Sequence, residues 1–234
     1  MYPDRAMDFA PFEQKISYVF KDKTHIETAF THRSFLNENR GSGREHNERL
    51  EFLGDAVLEL VVTEFLFAKY PEKAEGELTA YRAALVNTIS ISDAATKLGM
   101  NEFLLLSRGE AKDTGRARQI ILANAFEALI GALYLDGGYD VAKGFIADNL
   151  FHKTDDVVTK RLWQDPKSRF QEIAQEKVGI TPRYEVVSQS GPDHDKTFVT
   201  GVYLEKVQVA KGEGRSKQEA EQAAAENALK AKGW

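Results

Sequence analysis

Acidic side chains recur at helical spacing around residue 50. Glu48, Glu51 and Asp55 lie at positions i, i+3 and i+7, which share one face of an α-helix, and the apolar residues of the same segment fall on the other side. Like charges so placed repel by roughly 0.2 to 0.5 kcal/mol per pair. The spacing alone therefore fits either a solvated acidic face or a site that binds cations.

A second segment carries a carboxylate among apolar residues. Asn124 and Glu127 lie at i and i+3 in the otherwise apolar 16-residue run IILANAFEALIGALYL, which predicts a buried helix. A buried carboxylate is costly unless it meets a cation, a hydrogen-bond network or a metal. One interpretation is a satisfied polar pair in the core. The other is that two helices cross with Glu51 and Asp55 facing Asn124 and Glu127, giving four oxygen donors for Mg²⁺ or Mn²⁺.

A hard-oxygen site of this kind favours phosphoryl chemistry. The ion lowers the pKa of a water molecule, neutralises the phosphate and stabilises the leaving oxygen. Other catalytic patterns are weaker, since the five histidines show no His-Glu-x-x-His spacing and the chain has no Gly-x-Ser-x-Gly or Walker A sequence. His32 beside Arg33 has three possible roles: catalysis, substrate positioning or a structural contact. The short segments 41–43 and 212–214, each with two glycines, predict turns.

Composition indicates a globular chain with a packed core. The chain has 234 residues, 42% of them hydrophobic, which suits one or two domains. No uninterrupted apolar run reaches the roughly 20 residues of a membrane span, and the first ten residues do not resemble a secretory signal. The absence of cysteine excludes disulfides and thiolate sites and fits a reducing compartment. We expect a soluble, cytoplasmic protein with no membrane partner.

The charge distribution is uneven. The net charge is −5, but residues 165–234 hold 11 basic and 11 acidic residues. The whole net negative charge therefore lies in residues 1–164. A net acidic chain argues against a nucleic-acid partner when read alone. The neutral C-terminal part weakens that argument.

The periodicity predicts two domains of different class. Residues 10–153 show helical periodicity and predict an all-α domain, and residues 154–164 are the predicted linker. Asp165 followed by Pro166 is a helix start, and Gly179 ends that helix. Three β-rich runs follow, 183–189, 196–204 and 207–211, and then Ser216 and Glu219 form a capping box before an Ala-rich helix. Residues 165–234 are therefore predicted as an α-β-β-β-α domain of the α+β class.

The run from Asn47 to Leu58, NERLEFLGDAVL, resembles the signature of bacterial ribonuclease III, the double-stranded-RNA-specific endoribonuclease. A match of this length is highly specific. Supporting similarities lie at 31–34, 76–79, 82–87, 106–110 and 126–132. The resemblance covers nearly the whole chain beyond about the first ten residues.

The resemblance implies a set of site residues. The metal ligands of the family carry over onto Glu51, Asp55, Glu127 and the position of Asn124, while Glu48 and Glu75 match further acidic positions of the cleavage valley. The departure is Asn124, where the family usually has Asp. An amide oxygen still ligates a hard cation, but the site loses one negative charge and some metal affinity. Both a natural Asn and an engineered substrate-trapping substitution fit this difference.

Phe52 matches the aromatic residue that enters a socket on a second subunit in this family. The resemblance therefore implies a two-fold homodimer whose acidic valley holds two cleavage sites. An ordinary core role for Phe52 is the alternative.

The C-terminal segment resembles the double-stranded-RNA-binding domain. Such a domain reads the shape of an A-form duplex through 2′-hydroxyls and phosphates. The resemblance implies that Gln171 and Gln175 contact one minor groove, that His194 in the loop between the first two strands contacts the next, and that Lys217 binds phosphate at a helix N-terminus. The family often has two or three lysines there, so we expect modest affinity from this domain alone.

The resemblance implies a Mg²⁺-dependent endoribonuclease, with Mn²⁺ able to substitute, that cuts both strands of double-stranded RNA and leaves 5′-phosphates and 3′-hydroxyls. Its setting would be the processing of ribosomal or messenger RNA. A rival is a catalytically silent double-stranded-RNA-binding protein, made so by Asn124. A metal-dependent phosphatase for small substrates is a third hypothesis, but it gives the C-terminal domain no purpose.

Overall fold

The computed structural model describes residues 7–192 and 196–234. The chain divides into two compact units, the first ending at Trp163 and the second beginning at Gln164.

The first unit is helical, as the periodicity predicts. Its helices are α1 (Ala10–Lys15), α2 (Lys23–Ala29), α3 (Arg33–Glu38), α4 (Glu48–Lys69), α5 (Glu75–Leu85), α6 (Thr88–Lys97), α7 (Arg116–Gly137), α8 (Tyr139–Leu150) and α9 (Thr154–Thr159). In the described part of this unit, three single 3₁₀ turns lie between these helices. The one β-type contact among the described residues of this unit is an isolated parallel bridge between Thr31 and Leu105.

Helix α7 is the centre of this unit. It contacts α4 most extensively and also packs against α2, α6 and α8. By length and composition it resembles a membrane-spanning helix, but 61% of its most apolar 18-residue stretch is buried inside the protein. Its apolar residues therefore form the core of the helical unit.

The segment 154–164, predicted as a linker, contains α9. Thr154 and Val157 are buried, and α9 contacts α5. The Trp163 ring lies edge-on to Tyr81, with ring centroids 5.3 Å apart. Most of this segment packs on the helical unit, and the division between units falls at its end.

The second unit has the predicted order of elements. Helix α10 (Pro166–Val178) precedes β1 (Arg183–Ser190), β2 (Thr197–Leu204) and β3 (Val207–Gly214), and α11 (Lys217–Lys232) closes the unit. The strands form an antiparallel sheet in the order β1-β2-β3. Phe170, Val202 and Leu229 meet in the core, together with the buried alanines of α11.

The predicted helix ends of this unit are confirmed. The Asp165 carboxylate accepts a hydrogen bond from the Ser168 N–H, and Ser216 Oγ accepts one from the Glu219 N–H. Gly179 ends α10 with a φ of +70°. Each end is set by residues close in sequence, which is why the sequence predicts it.

Strand β3 differs from the prediction, because the turn predicted at 212–214 is wrong. Gly212 and Gly214 lie inside the strand and face α11. A Cβ at Gly212 would lie 2.0 Å from the Ala224 nitrogen. These glycines therefore allow the helix to approach the sheet closely, a tertiary requirement that resembles a turn signal in sequence.

Candidate metal centre and RNA-binding surface

Helices α4 and α7 cross through two glycines. A Cβ at Gly54 would lie 1.7 Å from the Glu127 carbonyl oxygen, and one at Gly131 would lie 2.3 Å from the Leu50 carbonyl oxygen. No side chain fits at either position, so the two backbones are in direct contact. A glycine inside a helix lowers the stability of the helix by about 1 kcal/mol relative to alanine. Here the two glycines allow the close crossing of α4 and α7.

This crossing brings the predicted ligands together. Glu51 is half-buried on α4, and Asn124 on α7 lies near its carboxylate. Burial and the neighbouring charges of Glu48 and Asp55 raise the pKa of Glu51, and the polar amide of Asn124 partly offsets this rise. Asp55 is more exposed, one turn further along the same helix.

Glu127 is the most perturbed carboxylate of the group. Burial raises its pKa to about 7, with further contributions from the charges of Asp55, Glu51 and Glu59. In the part of the chain that the structure describes, no cation or hydrogen-bond donor pairs with its carboxylate. A buried carboxylate needs a compensating partner, and a bound metal ion would provide one for Glu127.

The donor set fits a hard divalent cation. Three carboxylates and one amide oxygen are the ligands that Mg²⁺ and Mn²⁺ prefer. Within residues 7–192 and 196–234, no three His, Cys, Asp or Glu side chains converge tightly enough to form a ready-made metal cluster. The three carboxylates therefore do not already converge on one point in this structure. Burial, together with repulsion from Asp55, Glu51 and Glu59, raises the pKa of Glu127, and a bound cation would relieve that repulsion.

The two further acidic residues differ in position. Glu48 lies at the first residue of α4, close enough to raise the pKa of Glu51, and its carboxylate is 3.5 Å from Arg33 and 3.7 Å from His46. Glu75 lies at the first residue of α5 and accepts a hydrogen bond from Thr79 Oγ1 at 3.2 Å. Glu75 contributes to neither the raised pKa of Glu51 nor that of Glu127.

His32 has a local structural role. The ring Nδ1 of His32 accepts a hydrogen bond from the Ser34 N–H at 3.3 Å and caps α3, while the backbone N–H of His32 donates to the Leu105 carbonyl. Burial lowers its pKa, which favours the neutral ring. These contacts anchor the start of α3 to the segment before α7.

Phe52 is 81% exposed on α4, beside Glu51. The alternative, a core position for Phe52, is therefore wrong in the structure. The exposed ring is therefore free to contact a second subunit.

The second unit presents most of its predicted RNA contacts to solvent. Gln171 and Gln175 are exposed on α10 and line one groove with Thr181. Lys217 is exposed at the first residue of α11. His194 lies outside the described residues.

Sequence reasoning missed one cation and two glycines of these sites. Arg215 is exposed just before α11, where it adds a second positive charge beside Lys217. Gly54 and Gly131 place the acidic group, as described above. A glycine inside an apolar helical pattern was the available signal for both.

Comparison with known proteins identifies both units. Residues 22–154 match the family model described as ribonuclease-III-like, and residues 166–232 match the double-stranded RNA binding motif. The first match spans more than half of the chain and contains the whole acidic group.

Relatives match at similar identity over most of the chain. Ribonuclease 3 of Bdellovibrio bacteriovorus is 45% identical over 94% of each chain. A solved nuclease domain of ribonuclease III from Campylobacter jejuni, in a structure described as showing flexibility in the region involved in dimer formation, is 44% identical, with a TM-score of 0.55 over 61% of this chain and 98% of that one. A second structure of that domain is 43% identical, with the same TM-score, over 62% of this chain and 97% of that one. The chain belongs to the ribonuclease III family, the metal-dependent endoribonucleases that act on double-stranded RNA.

Proposed function

We propose that this chain hydrolyses both strands of double-stranded RNA at a site formed by Glu51, Asp55, Asn124 and Glu127, with Mg²⁺ as the cation and Mn²⁺ able to substitute. The observation that carries the proposal is Glu127, an unpaired carboxylate surrounded by other carboxylates at a close helix crossing. Such a charge is costly for folding alone, and a cation-dependent reaction gives it a use.

Each residue has a defined task. Glu51, Asp55 and Glu127 would hold the cation through charged oxygens, and Asn124 would add a neutral amide oxygen. A bound cation would supply activation of water and stabilisation of the leaving 3′-oxygen, which gives products with 5′-phosphates and 3′-hydroxyls. Glu48 and Glu75 extend the acidic valley along the substrate. Asn124 gives the site one negative charge fewer than an aspartate would.

The second unit supplies the grip on the duplex. Gln171 and Gln175 suit 2′-hydroxyl contacts in one minor groove, and His194 contacts the next. Lys217 binds phosphate where the N-terminus of α11 already favours an anion. The expected domains are a catalytic and dimerisation domain at 10–153 and an RNA-binding domain at 165–234, joined through 154–164.

The working form is a homodimer in the cytoplasm that processes ribosomal and messenger RNA. Exposed Phe52 is the residue expected to enter the second subunit. Sedimentation at micromolar concentration tests this, with Phe52→Glu expected to give monomers. Val19→Glu is the matched control, since Val19 is 69% exposed on the same unit. A monomer for the unmodified chain contradicts the proposal.

Incubation of the protein with an end-labelled RNA duplex tests the activity. We expect cleavage of both strands in Mg²⁺, no cleavage after chelation, and fragments that accept ligation at their 5′-phosphates. A DNA duplex of the same sequence is the control. Tight duplex binding without cleavage in either Mg²⁺ or Mn²⁺ would favour the silent binding protein instead.

A further inference from the structure

The acidic row on α4 is longer than the proposed metal site. Glu59 follows Glu51 and Asp55 at the next helical turn, so the three carboxylates lie at i, i+4 and i+8 along one side of the helix. Glu127, across the crossing, is close enough to interact electrostatically with all three. The row therefore offers a cation more than one position beside Glu127.

Arg82 on α5 occupies the far end of this row. Its Nε lies 2.7 Å from Glu59 Oε2, and its Nη1 donates to Thr63 Oγ1 at 2.9 Å. Thr63 Oγ1 in turn donates to the Glu59 carbonyl oxygen at 2.6 Å. The guanidinium is thus fixed by two groups one helical turn apart, which orients it more strictly than a single ion pair would.

The formal charges explain why this pairing matters here. Near Asn124, a cation has the three carboxylates Glu51, Asp55 and Glu127 as neighbours. Near Glu59, it has Asp55, Glu127 and Glu59. Because residue 124 is a neutral amide, these two sets of three carboxylates carry the same formal charge. Arg82 makes the Glu59 set less attractive to a cation, and Glu48 beside Glu51 adds to the difference.

We propose that Arg82 is a positioning residue that confines the divalent cation to the Asn124 end of the acidic row by neutralising Glu59. This inference rests on the proposed metal site. Arg82 acts through Glu59, and among the described residues its ion pair and hydrogen bond involve none of the four proposed ligands. A purely structural role would be to tie α5 to α4, and the two roles predict different effects on metal binding.

The test compares Arg82→Gln, Glu59→Gln and the double variant without RNA present. Mn²⁺ is titrated into protein labelled with ¹⁵N-asparagine, and the paramagnetic broadening of the Asn124 side-chain amide reports how near the ion lies. Mn²⁺ affinity and duplex cleavage are measured in parallel, and thermal unfolding establishes that each variant is folded. Lys143→Gln is the matched control, since Lys143 pairs with Glu64 at 3.1 Å and ties α8 to α4 elsewhere.

In the unmodified protein, Mn²⁺ should broaden Asn124 strongly. In Arg82→Gln, the affinity for Mn²⁺ should rise about two- to fivefold, the effect of one partly exposed charge, while the broadening of Asn124 and the cleavage rate both fall. Adding Glu59→Gln should restore the broadening and the cleavage, and Lys143→Gln should change neither.

Unchanged broadening in Arg82→Gln, or a double variant that restores nothing, overturns the inference and leaves the metal site intact. Weakened Mn²⁺ binding in Arg82→Gln that Glu59→Gln does not restore would show the structural role instead. If Mn²⁺ fails to broaden Asn124 in the unmodified protein, the proposed metal site is wrong and the inference fails with it.

Discussion

Helix α7 carries two carboxylates in opposite electrostatic environments. Asp136, near the end of the helix, accepts hydrogen bonds from Tyr18 Oη at 2.6 Å and from the N–H groups of Lys21 and Asp22 at 3.0 and 2.9 Å. Burial disfavours its charge, but these hydrogen bonds outweigh burial and lower its pKa. Glu127, nine residues earlier, has no such donors, and its pKa is raised to about 7.

The difference separates structural from functional charge. The donors to Asp136 join α7 to the segment before α2, so its negative charge stabilises the fold. The charge of Glu127 is opposed by its surroundings and lowers the stability of the metal-free protein. A carboxylate retained at such a cost is typical of a ligand-binding position.

The largest expected effect concerns catalysis. Glu127→Gln should reduce cleavage by more than about a thousandfold, because several kcal/mol of transition-state stabilisation depend on the cation that it helps to hold. Asp136→Asn should instead lower the free energy of unfolding by about 1.5 to 3 kcal/mol and leave the cleavage rate of the folded protein unchanged.

Single-turnover cleavage and denaturant unfolding on both variants check this contrast. Retained duplex binding by Glu127→Gln is the control for folding. Near-normal cleavage by Glu127→Gln would remove it from the metal site.

The helix crossing is expected to be the next most sensitive feature. Gly54→Ala places a methyl group against the Glu127 backbone and should destabilise the helical unit by about 3 kcal/mol or more. Gly144→Ala in α8 is the matched control, because its Cβ would meet no atom within 4 Å, and it should be neutral or stabilising. Thermal unfolding measures both, and equal stability of the two variants would contradict the close crossing.

A moderate effect is expected at the amide. Asn124→Asp adds a negative charge beside Glu51, and it should lower the Mg²⁺ concentration that half-maximal cleavage requires by about a factor of ten. Asn101→Asp is the control, since Asn101 Oδ1 accepts from Arg118 at 2.9 Å and an aspartate keeps that contact. An identical Mg²⁺ requirement for Asn and Asp at 124 would place the residue outside the coordination shell.

The smallest expected effect is the pH dependence of stability. The folded-state pKa of Glu127 lies near 7, above its ordinary value of 4.5, so the folded protein binds this proton more tightly than the unfolded chain. Stability from this group is therefore lost as the pH rises through that window. Without metal, Glu127→Gln should gain stability relative to the unmodified protein between about pH 5 and about pH 8.

Asp136→Asn should show the opposite sign. The lowered pKa of Asp136 stabilises the fold above its ordinary value of 3.8 and ceases to do so as the pH falls through the lowered value. Thermal unfolding across the pH range measures both trends, and Mg²⁺ at high pH should remove the advantage of Glu127→Gln. Parallel curves for both variants would contradict the distinction between the two carboxylates.

Much of the architecture follows from local sequence patterns. Asp165 before Pro166, Gly179 after an apolar face, and Ser216 at the head of an Ala-rich run each specify a helix end through contacts within a few residues. The class of both units follows from hydrophobic periodicity for the same reason. Spacing also placed Glu51 and Asp55 on one helix and Asn124 and Glu127 on another.

The tertiary structure decided what those residues do together. The chain alone does not say that Gly54 and Gly131 contact the facing backbones, that Gly212 belongs to a strand, or that Arg82 neutralises Glu59. Nor does it distinguish Glu127 from Asp136, two carboxylates on one helix. Periodicity and capping depend on near neighbours, so the sequence determined the elements; charge and close approach depend on groups distant in the chain, so only packing determined the site.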